Sequence, residues 1–515
     1  MSNDLRPKSF RESNAAASDM GVQPPEQANR SIDEVLARIR KLSSGNAEAE
    51  PTPAPVRTAT EVAATEEKPS VLSSISASVI EPNSKKSLIE LTNNRNEPIH
   101  PLEPESLEQA CLSVSLVEEL IMKFLYTRSE AEGRTIADQI RLSFRLITPI
   151  LAKLKSQQMI VYSSTTSVND YVYVLSEAGR ERARRYLQKT TYFGAAPVTL
   201  SEYIQAVKLQ SVEQQHPTRE QLQKAFSDLL ISPEMLSKLG PAVNSGRGMF
   251  LFGYPGNGKT SIAERVTRSF GEYIWIPRAV LIEGEIMRVY DPLVHEAAEQ
   301  SNTSGYLDHS QSDRRWIRIR RPTVVAGGEL TMEMLEVQRN AETNISEAPL
   351  QFKSNCGVFL IDDFGRQKIS VQELLNRWIV PLEKRYDFLI VTGGKKTQVP
   401  FDQLVIFSTN LEPKDLVDDA FLRRIPYKIE VPNPTEDAFR KLFAIMSKSL
   451  KIPYSAPCVD YLIEKHYKPK NRPYRNCHPR DLLLQIRSYC YFNEFPLEMT
   501  NEYMDFAVDN YFSMM

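Results

Sequence analysis

The period of the apolar residues changes along the chain and divides it before any motif is considered. Between Leu112 and Leu187 these residues first recur at helical spacing. In Ser115-LVEELIMKFLYTR, Leu116, Leu120, Phe124 and Leu125 share one side. Thr135-IADQIRLS is a short helix capped by Thr135, and Phe144-RLITPILAKLKSQQMI is a third. Two β-rich pieces, Ile160-VYSS and Tyr171-VYVLS, follow across polar turn residues, and Glu177-AGRERARRYL is a basic helix. From Pro217 to Val431 short apolar runs (Met249-FLF, Tyr273-IWIP, Val358-FLID, Val405-IFST, Tyr427-KIEV) are separated by helical patterns. That alternation predicts a parallel sheet covered by helices on both faces. Beyond Pro432 the pattern is helical to the end.

The first fifth lacks any such period apart from one island. Phe, Tyr and Trp total 45, yet Phe10 is the only one between Met1 and Ala110, a stretch that also holds eleven of the 33 prolines. Such a segment cannot offset the entropy of ordering its backbone, so residues 1–110 are expected as a disordered tail. The island is Ser31-IDEVLARIRKL, where Ser31 and Glu34 form a capping box and Ile32, Val35, Leu36, Ile39 and Leu42 a single stripe. This 31–42 helix, which resembles the short N-terminal helix of bacterial polar-organising proteins over a dozen residues, either docks on a partner or forms transiently. A net charge of −2 with 25% charged residues gives a mixed surface, unlike a nucleic-acid coat. Five cysteines without a CxxC pair fit a reducing compartment. No run approaches 18 apolar residues and the N-terminus lacks a signal-peptide core, so a soluble cytoplasmic protein with no membrane partner is expected.

Gly253-YPGNGKT is a complete phosphate loop, G-x-x-x-x-G-K-T, between the strand Met249-FLF and the helical Ser261-IAERVTRSF. Gly253, Pro255, Gly256, Asn257, Gly258, Lys259, Thr260 and Ser261 are the candidate nucleotide-binding residues. Glycines let backbone N–H groups turn in on phosphate oxygens, and the helix N-terminus adds its dipole. Lys259 is expected on the β- and γ-phosphates of ATP and the Thr260 hydroxyl on Mg²⁺. Val358-FLIDDF supplies the second half: Asp362 as the carboxylate holding Mg²⁺ through water, and Asp363 where a general base polarises the attacking water.

With both motifs in place, the chain from about Thr218 to Phe512 resembles the AAA+ ATPases. The resemblance implies that Asn410, after Phe407-ST, positions the lytic water. It implies that Arg424, with Arg423 as the alternative, is an arginine finger entering a neighbouring subunit's site, and that Arg480 in Asn476-CHPRDLLLQI reaches the γ-phosphate from a helical lid. Homo-oligomers, habitually hexameric rings, are implied with it. The family usually has Glu where this chain has Asp363, so slow hydrolysis is one reading. About a hundred residues separate Lys259 from Asp362, which requires an insertion. Asp313-RRWIRIRRPTVVAGGEL, read as a strand continuing into a hairpin, and Phe388-LIVTGGKKTQVPF, a hairpin turning at Gly393-Gly394, occupy positions that resemble the helix-2 and pre-sensor hairpins of the MoxR-like chaperone branch. The first hairpin's arginines either grip an acidic partner or nucleic acid, or form a solvated face.

The span 111–190 resembles the winged helix-turn-helix family in its element order. Twelve Lys/Arg against eight Asp/Glu between Cys111 and Thr190 leave an excess of four, mild for a DNA reader, so a protein contact and a DNA contact both stand as readings. The expected architecture is therefore α/β: tail 1–110, winged helix 111–190, linker 191–216, phosphate-loop sheet 217–432 and helical lid 433–515. The expected function is ATP hydrolysis by an oligomeric, chaperone-like machine acting on a protein client. A DNA-tethered regulatory ATPase and a slowly hydrolysing assembly switch are the alternatives.

Overall fold

A computed structural model describes residues 88–92, 94, 97–166, 170–298, 312–391, 394–417 and 419–513. The 31–42 helix and Gly393 lie outside them. Five strands form the central sheet: β1 (Met249–Phe252), β2 (Thr323–Ala326), β3 (Val358–Ile361), β4 (Leu404–Thr409) and β5 (Tyr427–Glu430). All are parallel, in the order β2-β3-β4-β1-β5. The α/β class expected from the alternation is the class found.

Strand alternation explains the layering. Met249 and Leu251 face one side of β1, with Val358, Leu360, Leu404 and Ile406 beside them. There they pack on Ile262, Ala263 and Val266 of helix α1 (Lys259–Thr267) and on the helix Pro233–Asn244. Phe250, Phe359, Val405 and Phe407 face the other side, against Leu374, Leu375 and Trp378 of α2 (Val371–Lys384). The aromatic layer is close, with Phe250 and Phe407 centroids 5.2 Å apart and Phe359 and Trp378 5.3 Å apart. Both faces of a parallel sheet are thus withdrawn from water, which is why the strands read as continuous apolar runs.

Two strand assignments change. Tyr273–Pro277 is not in the central sheet: it pairs antiparallel with Trp316–Arg320, with Ile317 opposite Ile276. Val324 and Ala326, expected in a hairpin, instead belong to β2, paired parallel to β3. The cause lies at Arg321-Pro322. Arg321 is buried, donating from Nε to Gly271 O at 2.8 Å and from Nη1 to the Gln210 and Cys356 carbonyls, and Pro322 brings no N–H to continue a ladder. The first insertion's arginines are also committed within the chain. Arg318 pairs with Glu97 at 3.1 Å over the Tyr273 ring, and Arg320 pairs with Glu296 at 3.2 Å. The second insertion is an antiparallel hairpin, Tyr386–Ile390 with Lys396–Pro400.

The end of the expected tail is ordered. Ile89–Leu91 and Ile99–Pro101 form a small antiparallel pair, with Ile89 and Ile99 buried beside Trp316 and Val198, and Glu97 accepts from Trp275 Nε1 at 2.8 Å. Two isoleucines and one carboxylate thus find partners that the composition of the stretch does not announce. Residues 191–216, expected as a linker, are likewise built in. Tyr203 of the helix Leu200–Leu209 stacks on Phe352, and the Ser211 hydroxyl and Val212 N–H both donate to Asp402, at 2.8 and 3.0 Å. N-terminal to this lie the helices Val114–Arg128, Gly133–Ile140 and Phe144–Ser156, a three-stranded antiparallel sheet, and the helix Glu177–Lys189. The helix Phe144–Ser156 turns Leu146, Ile147, Ile150, Leu151 and Leu154 inward, and Lys153 is held by the buried Glu118 at 2.8 Å.

The C-terminal part is helical: Glu436–Leu450, Ala456–Leu462, α3 (His478–Asn493) and α4 (Asn501–Tyr511) around one core. No described helix is long and apolar enough to cross a membrane. His478, 4% exposed among Phe439, Tyr511 and Phe512 with Nδ1 2.8 Å from Tyr467 Oη, has its pKa pushed down from 6.5 to about 4. Burial is the main cause, Arg475 and Arg472 add to it, and Asp481 opposes it. Between pH 6.5 and 4 the unfolded chain therefore binds more protons than the folded one, and stability falls as pH falls through that window. The loss from this group is about 3 kcal/mol. Unfolding free energies of wild type and His478→Gln, followed against pH, are expected to diverge there; parallel curves would show that the ring is not held neutral by its surroundings.

Candidate phosphate-binding site

The candidate residues of the first two motifs, together with Asn410, gather at the carboxyl ends of parallel strands and the start of α1. The loop Gly253–Gly258 leaves β1, Asp362 and Asp363 leave β3, and Asn410 leaves β4, which runs between them. A crevice outside the carboxyl ends of such strands is where α/β sheets take ligands. Gly253, Gly256 and Gly258 have φ of 138°, 82° and 84°, conformations that side chains resist, and Gly258 N-caps α1.

Lys259 is 7% exposed. Its Nζ donates to Gly253 O at 2.9 Å, Tyr254 O at 3.1 Å and Asn410 Oδ1 at 2.7 Å. Asn410 passes the link on, since its Nδ2 donates to Asp363 Oδ1 at 3.0 Å. The side-chain amide is thus fixed in both senses, with oxygen toward the ammonium and nitrogen toward the carboxylate. Burial lowers the pKa of Lys259; Asp362 and Asp363 act against that, and Arg475 adds to the lowering. The loop carbonyls and Asn410 compensate the ammonium where phosphate oxygens would do so more strongly.

The Thr260 hydroxyl donates to Asp362 Oδ2 at 2.8 Å. A hydroxyl and a carboxylate in contact at the start of α1 are the hard oxygen donors that Mg²⁺ accepts alongside water and phosphate, so the residues fit that ion. Asp362 is oriented in turn: its Oδ1 accepts from Asp363 N–H at 3.1 Å, and its carbonyl from Gln367 Nε2 at 2.9 Å. Asp363 stands at φ 52° and also pairs with Arg366 at 3.6 Å. No group of three or more His, Cys, Asp or Glu placed for a metal occurs among the described residues.

Arg480 is exposed and donates from Nε to its neighbour Asp481 at 3.1 Å. Arg424 is half-buried and pairs with Glu383 of α2 at 3.6 Å, while Arg423 is exposed. Sequence reasoning missed the residues that do meet the loop from outside the sheet. Asn433 accepts from Asn257 Nδ2 at 2.8 Å, and Arg475, Asn476 and Cys477 meet the carbonyls of Pro255, Asn257 and Gly256. Asn476 and Cys477 stand in the same Asn476-CHPRDLLLQI motif read for Arg480, and Arg475 ends the basic run Lys465–Arg475, which reads as a solvated loop.

A family profile described as a domain of unknown function (DUF8689) matches residues 435–510. No curated protein matches the chain. Among solved structures it is similar to NtrX from Brucella abortus in complex with ADP, at 13% identity over 55% of this chain and 56% of that one, TM-score 0.34. It is also similar to the Thermotoga maritima RuvB Holliday junction branch migration motor, at 12% identity over 57% and 70%, TM-score 0.29. The chain spans little more than half the length of NtrX.

At Gly256 a methyl group would meet Cys477 Sγ well inside van der Waals contact, on a backbone at φ 82°. Gly256→Ala is therefore expected to cost roughly 1–2 kcal/mol from the backbone conformation alone, with the collision added. Urea unfolding of the full chain checks this; an unchanged midpoint would mean that the loop does not hold this shape.

Proposed function

We propose that the chain is a Mg²⁺-dependent ATPase of the AAA+ type. The observation that carries this is the connected set Lys259–Asn410–Asp363 beside Thr260–Asp362, across the carboxyl ends of β1, β4 and β3. Lys259 and the loop N–H groups bind the phosphate chain; Thr260 and Asp362 hold Mg²⁺, which when bound neutralises phosphate charge. Asp363 accepts a proton from water, aimed by Asn410. Its side chain is one methylene shorter than the Glu usual in the family, and it is shared with Arg366, which supports slow turnover and a switch-like use of ATP.

An oligomer completes the site, with an arginine supplied by a neighbour. Of the two candidates, Arg423 is exposed while Arg424 is engaged by Glu383, so Arg423 takes the role first given to Arg424. The segment 111–190 acts as a winged-helix adaptor toward protein. Its helix Phe144–Ser156 exposes only Arg145, Lys153 and Lys155 as cations, and Lys153 is tied to Glu118, which leaves little to meet a phosphate backbone. A protein client of a remodelling machine follows as the leading role.

Three variants test the reading. Lys259→Ala is expected to abolish ATP binding in a fluorescent-nucleotide titration, and retained binding would sink the site. Asp363→Glu is expected to raise turnover about tenfold or more if the shorter carboxylate limits the reaction. An unchanged rate would remove the reason for calling this ATPase slow. Arg423→Ala is expected to lose turnover and to recover it when mixed with Lys259→Ala subunits. Recovery seen with Arg424→Ala instead would return the role to Arg424.

A further inference from the structure

Three consecutive residues of the C-terminal helical part meet three consecutive carbonyls of the phosphate loop. Arg475 Nη1 is 3.5 Å from Pro255 O, Cys477 N–H donates to Gly256 O at 2.9 Å, and Asn476 Nδ2 donates to Asn257 O at 2.9 Å. The guanidinium of Arg475 also lies 5.8 Å from the centre of the Tyr254 ring. Contact is tight on this side, because the absent side chain of Gly256 leaves the space that the Cys477 thiol fills. Cys477 is anchored in its own part by Tyr511, and it leads directly into α3, whose first residue His478 is in the core.

Peptide planarity gives these contacts a consequence. In a trans peptide the C=O of one residue and the N–H of the next point in opposite directions. Holding the carbonyls of Pro255, Gly256 and Asn257 on the outer side therefore turns the N–H groups of Gly256, Asn257 and Gly258 to the inner side, where phosphate oxygens would lie. We propose that Arg475, Asn476 and Cys477 are positioning residues that clamp the phosphate loop by its carbonyls, presetting its N–H groups and tying any movement of the helical lid to the loop's shape. This rests on the reading of the loop as a nucleotide site. It differs from sensing through an arginine on the γ-phosphate, since all three contacts grip main-chain carbonyls and need no nucleotide.

The test uses the full chain and two readouts. Without nucleotide, the Cys477 amide is expected to exchange slowly with deuterium in wild type. In Asn476→Ala and in Arg475→Ala it is expected to exchange about tenfold faster, one hydrogen bond's worth of protection. Amides of Leu482 and Ile486, inside the lid core, report folding in the same experiment and are expected to stay slow. Affinity for a fluorescent ATP analogue is expected to fall by roughly three- to tenfold in both variants. Asn476→Gln, which keeps the donor, is expected to restore part of it. An unprotected Cys477 amide in wild type, or variants that leave both exchange and affinity unchanged, would overturn the clamp. A protected Cys477 amide in a chain that binds no nucleotide would keep the clamp and overturn the ATPase reading. Nucleotide binding with that amide unprotected would do the reverse.

Discussion

A lysine ammonium withdrawn from water is the constraint around which the site is arranged. Lys259 leads α1 into the protein and is almost wholly covered, so its charge must be met at short range. Loop carbonyls meet it on one side and Asn410 on the other, and Asn410 can do so only because β4 runs between the strand that carries the loop and the strand that carries the aspartates. The same amide then orients Asp363. Loop, cation, polar relay and carboxylate are thus one hydrogen-bonded object, and the order of the sheet is what makes it possible.

The rest of the molecule supports that object from three sides. Beneath it, the two apolar faces of the sheet are separated residue by residue along β1, so that both α1 and α2 are fixed against it. Beside it, Asp402 gathers Ser211, Val212 and Arg385, tying the segment that enters the sheet to the strand that ends at Asn410. Above it, the C-terminal helices touch the loop through main-chain contacts at Gly256 and Asn257. A core this closely packed passes strain on rather than absorbing it, so a shift in one of these supports is felt at the loop.

What was legible in the sequence was local. The phosphate loop, the Asp362-Asp363 pair and Asn410 follow strands whose apolar runs are unmistakable, and each motif is contiguous. The assignments that changed depend on partners far away in sequence. Tyr273–Pro277 has the same apolar texture as a central strand, and nothing local tells it that Trp316–Arg320 will be its partner. Ile89 and Ile99 are too few to register against a polar background, yet they are buried because Trp316 and Val198 offer them a surface. The arginines near the C-terminus show the same dependence. A motif marks which residues are arginine, whereas their placement depends on neighbours, and Asp481 holds Arg480 while Arg475 is left to meet the loop.

The most direct measurement of the central claim is calorimetric titration of ATP into the full chain, with and without Mg²⁺, repeated with Thr260→Ala. If Lys259, Thr260 and Asp362 form a nucleotide site, ATP binds with an affinity that Mg²⁺ strengthens in the wild type and leaves nearly unchanged in the variant. Absence of ATP binding, or a Mg²⁺ effect that survives the loss of the Thr260 hydroxyl, would contradict the account.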